Sequence, residues 1–315
     1  MDDSLFLNSL KLILDESNQY FIIMNEANYI QEGTIGEFLK KIDLKKIFSF
    51  IFNKFIEIIG TIWGKFKAMY NAFTKKTTLI KKYRKKLDNI SWDVEYPDER
   101  SIYTNLDNST NINLYNMSLN EEYNMFTGII NTISSVKRIE DLYTTILSIK
   151  NSMAPTDEFL DQKRGQAIGK NNYISKEDFA SEAYLYFKKE SKIPAGIIRP
   201  DEVRNITKEY FDSKKIEDAI TKDKKSLDDA AKINLNKINS TNLTNINGSF
   251  SNNINNEVYN IFGDIIKNYC NRTQGLCNIY LQLFGIKLDI FKQYKEEQTK
   301  ILSKVILISM KEGKM

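Results

Sequence analysis

The residues that could do chemistry in this chain are few, because its 315 residues include no histidine. Without histidine the chain cannot form a Ser-His or Cys-His nucleophile pair or a His-ligated metal site. The two cysteines, Cys270 and Cys277, lie seven residues apart in a helical pattern. That is roughly 10 Å along a helix axis, too far for an unstrained disulfide. We therefore expect two small apolar side chains on one helix face, with neither a zinc site nor a disulfide scaffold.

Two further patterns suggest chemistry but lack what that chemistry needs. The segment GQAIGKN, residues 165–171, resembles a phosphate-binding loop. It has three residues between its glycines instead of four, and Asn171 stands where Ser or Thr should hold magnesium. Carboxylate pairs on predicted helix starts or charged surfaces are Asp201-Glu202, Asp228-Asp229 and Glu296-Glu297. We interpret these pairs as solvated charge rather than as general acids or bases, and we predict a non-enzymatic protein without catalytic residues, cofactor or metal.

The elements that would position such residues are long helices, since the chain has only four prolines and 13 glycines. The most informative segment is IFSFIFNKFIEIIGTIWGKFKAMYNAF, residues 47–73. On a helical wheel its large apolar side chains, including Phe55 and Trp63, fall on one half. Because a polar stripe covers the other half, the pattern does not fit a lone transmembrane helix, which needs about 20 predominantly apolar residues. We predict that the aromatic face is buried inside the protein or an assembly.

Positive charge is concentrated around the same helix. Residues 44–87 contain twelve Lys and Arg and one acid, so their net charge is +11, whereas the whole chain carries +4. Such a basic helix with an aromatic face is also typical of helices that lie on anionic lipid. Clustered cations equally permit contact with DNA phosphates. The candidate interaction residues are Lys81, Lys82, Arg84, Lys85 and Lys86 in the segment KKYRKK, together with Phe55 and Trp63.

The helical period and the turn residues divide the chain into segments. They predict a mostly α protein, an elongated bundle of long amphipathic helices with a small helical insertion and an extended connector. The C-terminal helix, if it reaches from Val258 to about Lys311, needs a packing partner along its whole length. The predicted segments are an N-terminal helical arm (1–36), an amphipathic basic helix (37–87), the extended connector (88–117), a long helix (118–155), the small helical insertion (156–212), a charged helix with an Asn-rich loop (213–253), and a long C-terminal helix that packs on 37–155 (254–315).

Local signals within these segments predict helix ends and attachment points. Ser118 and Glu121 form a capping-box pattern, so we expect a helix to begin there. Aromatic residues should attach the connector to the protein surface; they are Trp92, Tyr96 and Tyr103.

Signals in the second half of the chain are of the same kind. Ser175 and Pro200 mark two helix starts in the insertion, and KIPAGIIRPDE, residues 192–202, is predicted to be a loop. Residues 214–238 have sparse apolar positions, so we predict an exposed helix. The C-terminal helix has a candidate bend at Gly275.

Four segments, taken in their order along the chain, resemble one group of proteins. They are LIKKYRKKL (79–87), RPDEVRNITKEYF (199–211), KKIEDAITKDKKSLDDAAKI (214–233) and CNIYLQLFGIKLDIFKQYKE (277–296). The set is similar to uncharacterised virion structural proteins of large tailed bacteriophages of AT-rich Gram-positive hosts. The resemblance implies a non-enzymatic particle component, in several copies and held inside or against the head, which is in the host cytoplasm during assembly. Its implied partners are other virion proteins or copies of itself.

Two other function classes remain open on the sequence. A membrane-active protein, such as a lysis or pore component, would use residues 47–73 as its inserting element. A DNA-associated packing protein would use the basic segment 44–87. Contact with DNA or with an anionic membrane is therefore a further expectation for this segment.

Overall fold

The computed structural model of the chain describes residues 44–76, 78–106, 108, 110–212, 214–240 and 256–315. Within them the chain is mostly α-helical, which confirms the predicted fold class. The predicted N-terminal arm (1–36) and the Asn-rich loop after residue 240 lie outside the described residues. The helices are α1 (Leu44–Lys76), α2 (Thr78–Asp88), α3 (Ile112–Ser135), α4 (Ile139–Ser152), α5 (Thr156–Ala167), α6 (Lys176–Phe187), α7 (Pro200–Phe211), α8 (Lys214–Ser240) and α9 (Asn256–Lys311).

Four short strands form two antiparallel pairs. They are β1 (Val94–Tyr96), β2 (Arg100–Thr104), β3 (Lys189–Ile193) and β4 (Gly196–Ile198). β1 pairs with β4, with Val94 opposite Ile198, and β2 pairs with β3, with Arg100 opposite Ile193. The chain therefore pairs the segment before α3 with the segment before α7.

These elements correct two predictions. The connector 88–117 is extended where it forms β1 and β2, but it ends before residue 117, because α3 begins at Ile112. The predicted loop 192–202 contains β4 and the start of α7. Runs of three to five residues are too short to establish an alternating pattern, and backbone pairing with a distant segment decides their conformation.

The contacts by which the connector attaches are nevertheless those predicted. The Trp92 indole Nε1 donates a hydrogen bond to the Ser309 hydroxyl at 3.1 Å. Tyr96 is fully buried, and the Tyr103 ring meets the Tyr294 ring at 6.4 Å. Aromatic side chains in an otherwise polar segment were a reliable signal of attachment.

The predicted start of the third helix is wrong. α3 begins at Ile112, so Ser118 is an interior residue of the helix and its side chain is buried. Ile112, Tyr115 and Leu119 are buried at helical spacing, which extends the helix toward the N-terminus past the capping-box pattern. The predicted long helix 118–155 is divided into α3 and α4.

Two other predicted helix starts are confirmed. Ser175 precedes α6 and its hydroxyl accepts a hydrogen bond from the Asp178 backbone N–H at 3.1 Å. Pro200 is the first residue of α7, where its missing N–H costs no hydrogen bond.

The charged helix 214–238 was predicted to be exposed, and this prediction is wrong. One face of α8 is buried, with spacings of three and four residues that place it on a continuous stripe. The apolar part of this stripe is small and interrupted by charge, which concealed it in the sequence. The buried residues are Ile220, Asp223, Leu227, Asp228, Ala230, Ala231, Asn234 and Ile238.

The chain divides into two compact units. The described part of the first comprises residues 44–56, 113–163, 229–240 and 256–278, and the second comprises residues 57–112, 164–228 and 279–315 within the described ranges. In the first unit, three rings from different helices form the aromatic centre of the core. The ring of Tyr269 lies 4.9 Å from that of Phe48 and stacks on that of Phe126 at 4.4 Å.

The second unit contains a hydrophobic group that we call the α2 cluster. It joins α2 to β1, β4, α7 and the C-terminal end of α9. Its buried members are Ile80, Leu87, Ile90, Val94, Tyr96, Ile198, Val203, Ile301, Leu302, Val305 and Ile306.

In the first unit, Gly275 of α9 permits close packing of α5 against this helix. The helix continues through this residue. A Cβ at position 275 would overlap the side chain of Leu160 from α5. The glycine thus provides space for a neighbouring helix.

We expect Gly275→Ala to destabilise the protein by about 1 kcal/mol, because overpacking costs about 1–3 kcal/mol and the gain in helix propensity is about 1 kcal/mol. In the double variant Gly275→Ala/Leu160→Ala the new methyl group has room. Its loss of stability should be smaller than the sum of the two single losses by at least ~1 kcal/mol. Urea unfolding of all four proteins measures this, and strictly additive losses would contradict the packing account.

Candidate functional site

The basic helix α2 turns its apolar side chains inward and its cations outward. Ile80 and Leu87 are completely buried in the α2 cluster. The five predicted interaction cations on this helix are all exposed: Lys81, Lys82, Arg84, Lys85 and Lys86. The amphipathic pattern therefore positions a cationic surface by burying the opposite side of a single helix.

The five cations differ in their contacts. The Arg84 guanidinium lies 4.3 Å from the centre of the Phe211 ring in α7 and forms an ion pair with Asp88 at 3.7 Å. The ammonium groups of Lys82 and Lys86 lie 5.6 and 5.7 Å from the ring of Tyr83 on their own helix. Within the described residues, Lys82, Lys85 and Lys86 form no ion pair. Arg84 therefore helps to attach α2, whereas these lysines keep their charges available.

The aromatic face of α1 is buried, as predicted, over the part whose side chains are described. Phe55 is 2% exposed, and its ring lies 5.6 Å from that of Tyr115 in α3. Trp63 is half-buried, stacks on Phe66 at 5.4 Å, and has the Lys67 ammonium 5.2 Å from its ring. The two aromatic candidates thus belong to the packing of the protein.

By length and composition, the segment Lys45–Ala68 of α1 could cross a membrane. In the described residues it is the one helix that meets these two criteria, and 39% of its 18-residue apolar stretch is buried in the protein. Core helices of soluble proteins meet the same criteria. The prediction that this segment is not a lone transmembrane helix therefore depends on its packing.

At least one member of each carboxylate pair has a structural partner, so the interpretation of all of them as solvated charge is wrong. Glu202 accepts a hydrogen bond from Arg100 at 2.9 Å. Asp228 is buried and pairs with Lys224. Glu297 accepts a hydrogen bond from the backbone N–H of Ser101 at 3.0 Å. Partners distant in sequence determine the roles of Glu202 and Glu297, whereas Asp228 pairs within its own helix.

Charged groups in the interior are another feature that sequence reasoning missed. The Lys287 ammonium donates to the Asp223 carboxylate at 2.7 Å, and the Thr110 hydroxyl donates to the same oxygen at 3.2 Å. The side chains of Lys287 and Asp223 are 3% and 8% exposed. This pair joins α9 to α8 in the second unit. Each of its buried charges requires the other as a partner.

A second interior pair joins α9 to α3 in the first unit. Arg272 donates to Glu122 at 3.2 Å, and both side chains are 5% exposed. Arg272 also donates to the backbone oxygen of Ala154 at 3.0 Å, and its guanidinium lies 4.3 Å from the Phe159 ring centre. Burial raises the pKa of the Glu122 carboxyl, and the charge of Arg272 opposes that shift.

Lys295 is a buried cation whose surroundings lower its pKa. It is 5% exposed, and its ammonium donates a hydrogen bond to the backbone oxygen of Tyr210 at 2.8 Å. The ring of Tyr210 also lies 5.0 Å away. Burial lowers the pKa of Lys295 from 10.5 to about 8, against the opposing charges of Glu217 and Glu209. The folded protein therefore holds this lysine charged at neutral pH at a cost in free energy.

The remaining sequence candidates have structural roles. In GQAIGKN, Gly165 lies so close to the backbone of Asn172 that a Cβ would overlap it, and Gly169 adopts a positive φ of 71°. Cys270 and Cys277 are buried free thiols, and burial raises the pKa of each to about 12. In the described part of the chain, no group of three or more Cys, Asp or Glu side chains is arranged to hold a metal ion.

Comparison with protein-family models, with curated proteins and with solved structures finds no match to this chain. The features of the chain that bear on its function are the exposed cationic surface of α2, the buried aromatic face of α1 and the interior ion pairs.

We expect Lys295→Met to stabilise the protein by about 2 kcal/mol at pH 7. A pKa lowered from 10.5 to about 8 corresponds to roughly 3 kcal/mol, of which the lost hydrogen bond offsets about 1. The unfolded chain binds this proton more tightly, so the cost is complete below pH 8 and disappears as pH rises toward 10.5. Urea unfolding from pH 7 to 10 measures the difference. Lys222→Met, at an exposed position, is the control, and a pH-independent gain would contradict the account.

Phe55→Asp should destabilise the protein by about 4 kcal/mol or more, because it places an unpaired carboxylate in the core. Trp63→Asp should cost about half as much, since Trp63 is only half-buried. Asn53→Asp, on the exposed side of α1, is the matched control and should change stability by less than about 0.5 kcal/mol. Thermal unfolding compares the three. An unchanged melting temperature for Phe55→Asp would show that the aromatic face is exposed to solvent and not packed in the core.

Proposed function

We propose that this chain is a non-enzymatic structural component of a phage particle, held inside or against the head and present in several copies. It would be in the host cytoplasm during assembly and in the virion afterwards. Its proposed partners are other virion proteins or copies of itself. The resemblance of four ordered segments to virion structural proteins supports this assignment.

The structural observation that carries the proposal is the use of charged groups inside each unit. Lys287 pairs with Asp223, Arg272 with Glu122, and Arg100 with Glu202. Each pair connects different helices or strands. Removing one partner of a buried pair costs about 3–5 kcal/mol, so these contacts restrict which surfaces can pack together. A protein that must keep its shape in an assembly benefits from such restriction.

A membrane-active function is the second candidate, because Lys45–Ala68 is long and apolar enough to insert. Insertion would require Phe48, Phe52 and Phe55 to leave the core, where each is 2% exposed or less. Full burial of each such side chain contributes about 1.5–3 kcal/mol. The packing therefore favours the structural assignment.

We expect the chain in purified particles at a constant copy number above one. Quantitative mass spectrometry of gradient-purified particles, with the major capsid protein as the internal standard, measures that number. Mock-infected lysate carried through the same gradient is the control. If the chain is absent from particles and recovered with host membranes, the structural proposal is wrong and the membrane-active candidate is favoured.

A further inference from the structure

We infer that the exposed surface of α2 binds the phosphate backbone of duplex DNA, with Lys82, Lys85 and Lys86 as the contacting residues. This inference depends on the proposed function, since a head component would be close to packaged DNA. It goes beyond that function by naming a ligand class and three residues. We call these residues the lysine triad.

The chemistry of α2 favours phosphate contact over insertion into lipid. An interfacial membrane helix must place its apolar face in the bilayer. The apolar face of α2 is occupied, because Ile80 and Leu87 are completely buried and Leu79 and Tyr83 pack against the α2 cluster. Leu79 and Tyr83 are only partly exposed, and the exposed side chains from residue 81 to residue 86 are all cations. DNA backbone binding requires charge alone.

The spacing of the lysine triad fits a row of phosphates. Lys85 and Lys86 follow Lys82 by three and four positions. At these spacings the three side chains share one helix surface, with neighbouring Cβ atoms about 5–6 Å apart. All three are exposed. From Lys82 to Lys86 the helix axis advances about 6 Å, and duplex DNA presents roughly three to four phosphates over that length. Three simultaneous contacts are therefore sterically reasonable.

The other two cations of α2 are not part of the triad. Arg84 is engaged with Phe211 and Asp88, so its loss would also loosen α2. Lys81 is left out of the triad because it also makes a contact within the protein. Restricting the substitution to the lysine triad separates binding from folding.

The test compares Lys82→Gln/Lys85→Gln/Lys86→Gln with a charge-matched control, Lys176→Gln/Lys222→Gln/Lys225→Gln, whose lysines are also exposed. Fluorescence anisotropy with a 30-base-pair duplex, from 50 to 200 mM salt, gives the affinity and its salt slope. Each phosphate contact contributes about 0.9 to that slope. We expect the triad variant to lose about 2.7 of the slope and at least tenfold in affinity at 100 mM salt. The control should stay within about twofold.

Three outcomes would overturn the inference: unchanged binding in the triad variant, an equal loss in the control, or no binding by the parent protein. Stronger binding of the parent to phosphatidylglycerol vesicles than to DNA, lost in the triad variant, would also overturn it and assign the surface to lipid. Thermal unfolding should give both variants the melting temperature of the parent. Particle mass spectrometry tests the proposed function separately, since a particle component can fail to bind DNA.

Discussion

The continuous burial of α9 is the constraint on which the rest of the structure depends. A helix that extends from Asn256 to Lys311 cannot be stable in water by propensity alone. It contributes buried side chains to both units, among them Tyr269 in the first and Phe291 in the second. In the first unit α1, α3 and α5 supply partners for it. In the second, α8 and the α2 cluster do so. The short strands and the connector are held by the surfaces that α9 provides.

Burying so much of one helix also determines where charge can be. Lys287, Arg272 and Lys295 all lie on α9 and are buried. Two of them have carboxylate partners within hydrogen-bond distance. Lys295 instead has a backbone oxygen and aromatic rings, and its lowered pKa reflects that weaker compensation. The buried cations of α9 are therefore structural, whereas the lysine triad of α2 is exposed.

Much of the helical architecture could be predicted from the sequence, because apolar residues recur at helical spacing along its long segments. The aromatic face of α1, the attachment by Trp92 and the helix starts marked by Ser175 and Pro200 are examples. The strands could not be predicted, since their pairing partners are about 100 residues away. The buried face of α8 was missed because small and charged residues form much of it. Ser118 shows that a local capping pattern is overridden when apolar periodicity continues upstream.

The candidate site was predictable to a different degree. The exposure of the α2 cations followed from the amphipathic pattern. The division between Arg84, which attaches the helix, and the lysine triad, which does not, could not be predicted. That division depends on Phe211, which lies more than 120 residues after Arg84 in the sequence. The interior pairs of α9 were equally invisible, because the sequence does not show which cation of one helix meets a carboxylate of another.

The two thiols have a consequence for measuring motion in this protein. Cys270 and Cys277 are buried, and the raised pKa of each keeps it protonated at neutral pH. A thiol reacts as the thiolate and only when a reagent reaches it. Alkylation in the native state must therefore wait for α9 to separate locally from its neighbours. The natural chain thus carries two intrinsic probes whose labelling rates report the opening free energy around this helix, without any substitution.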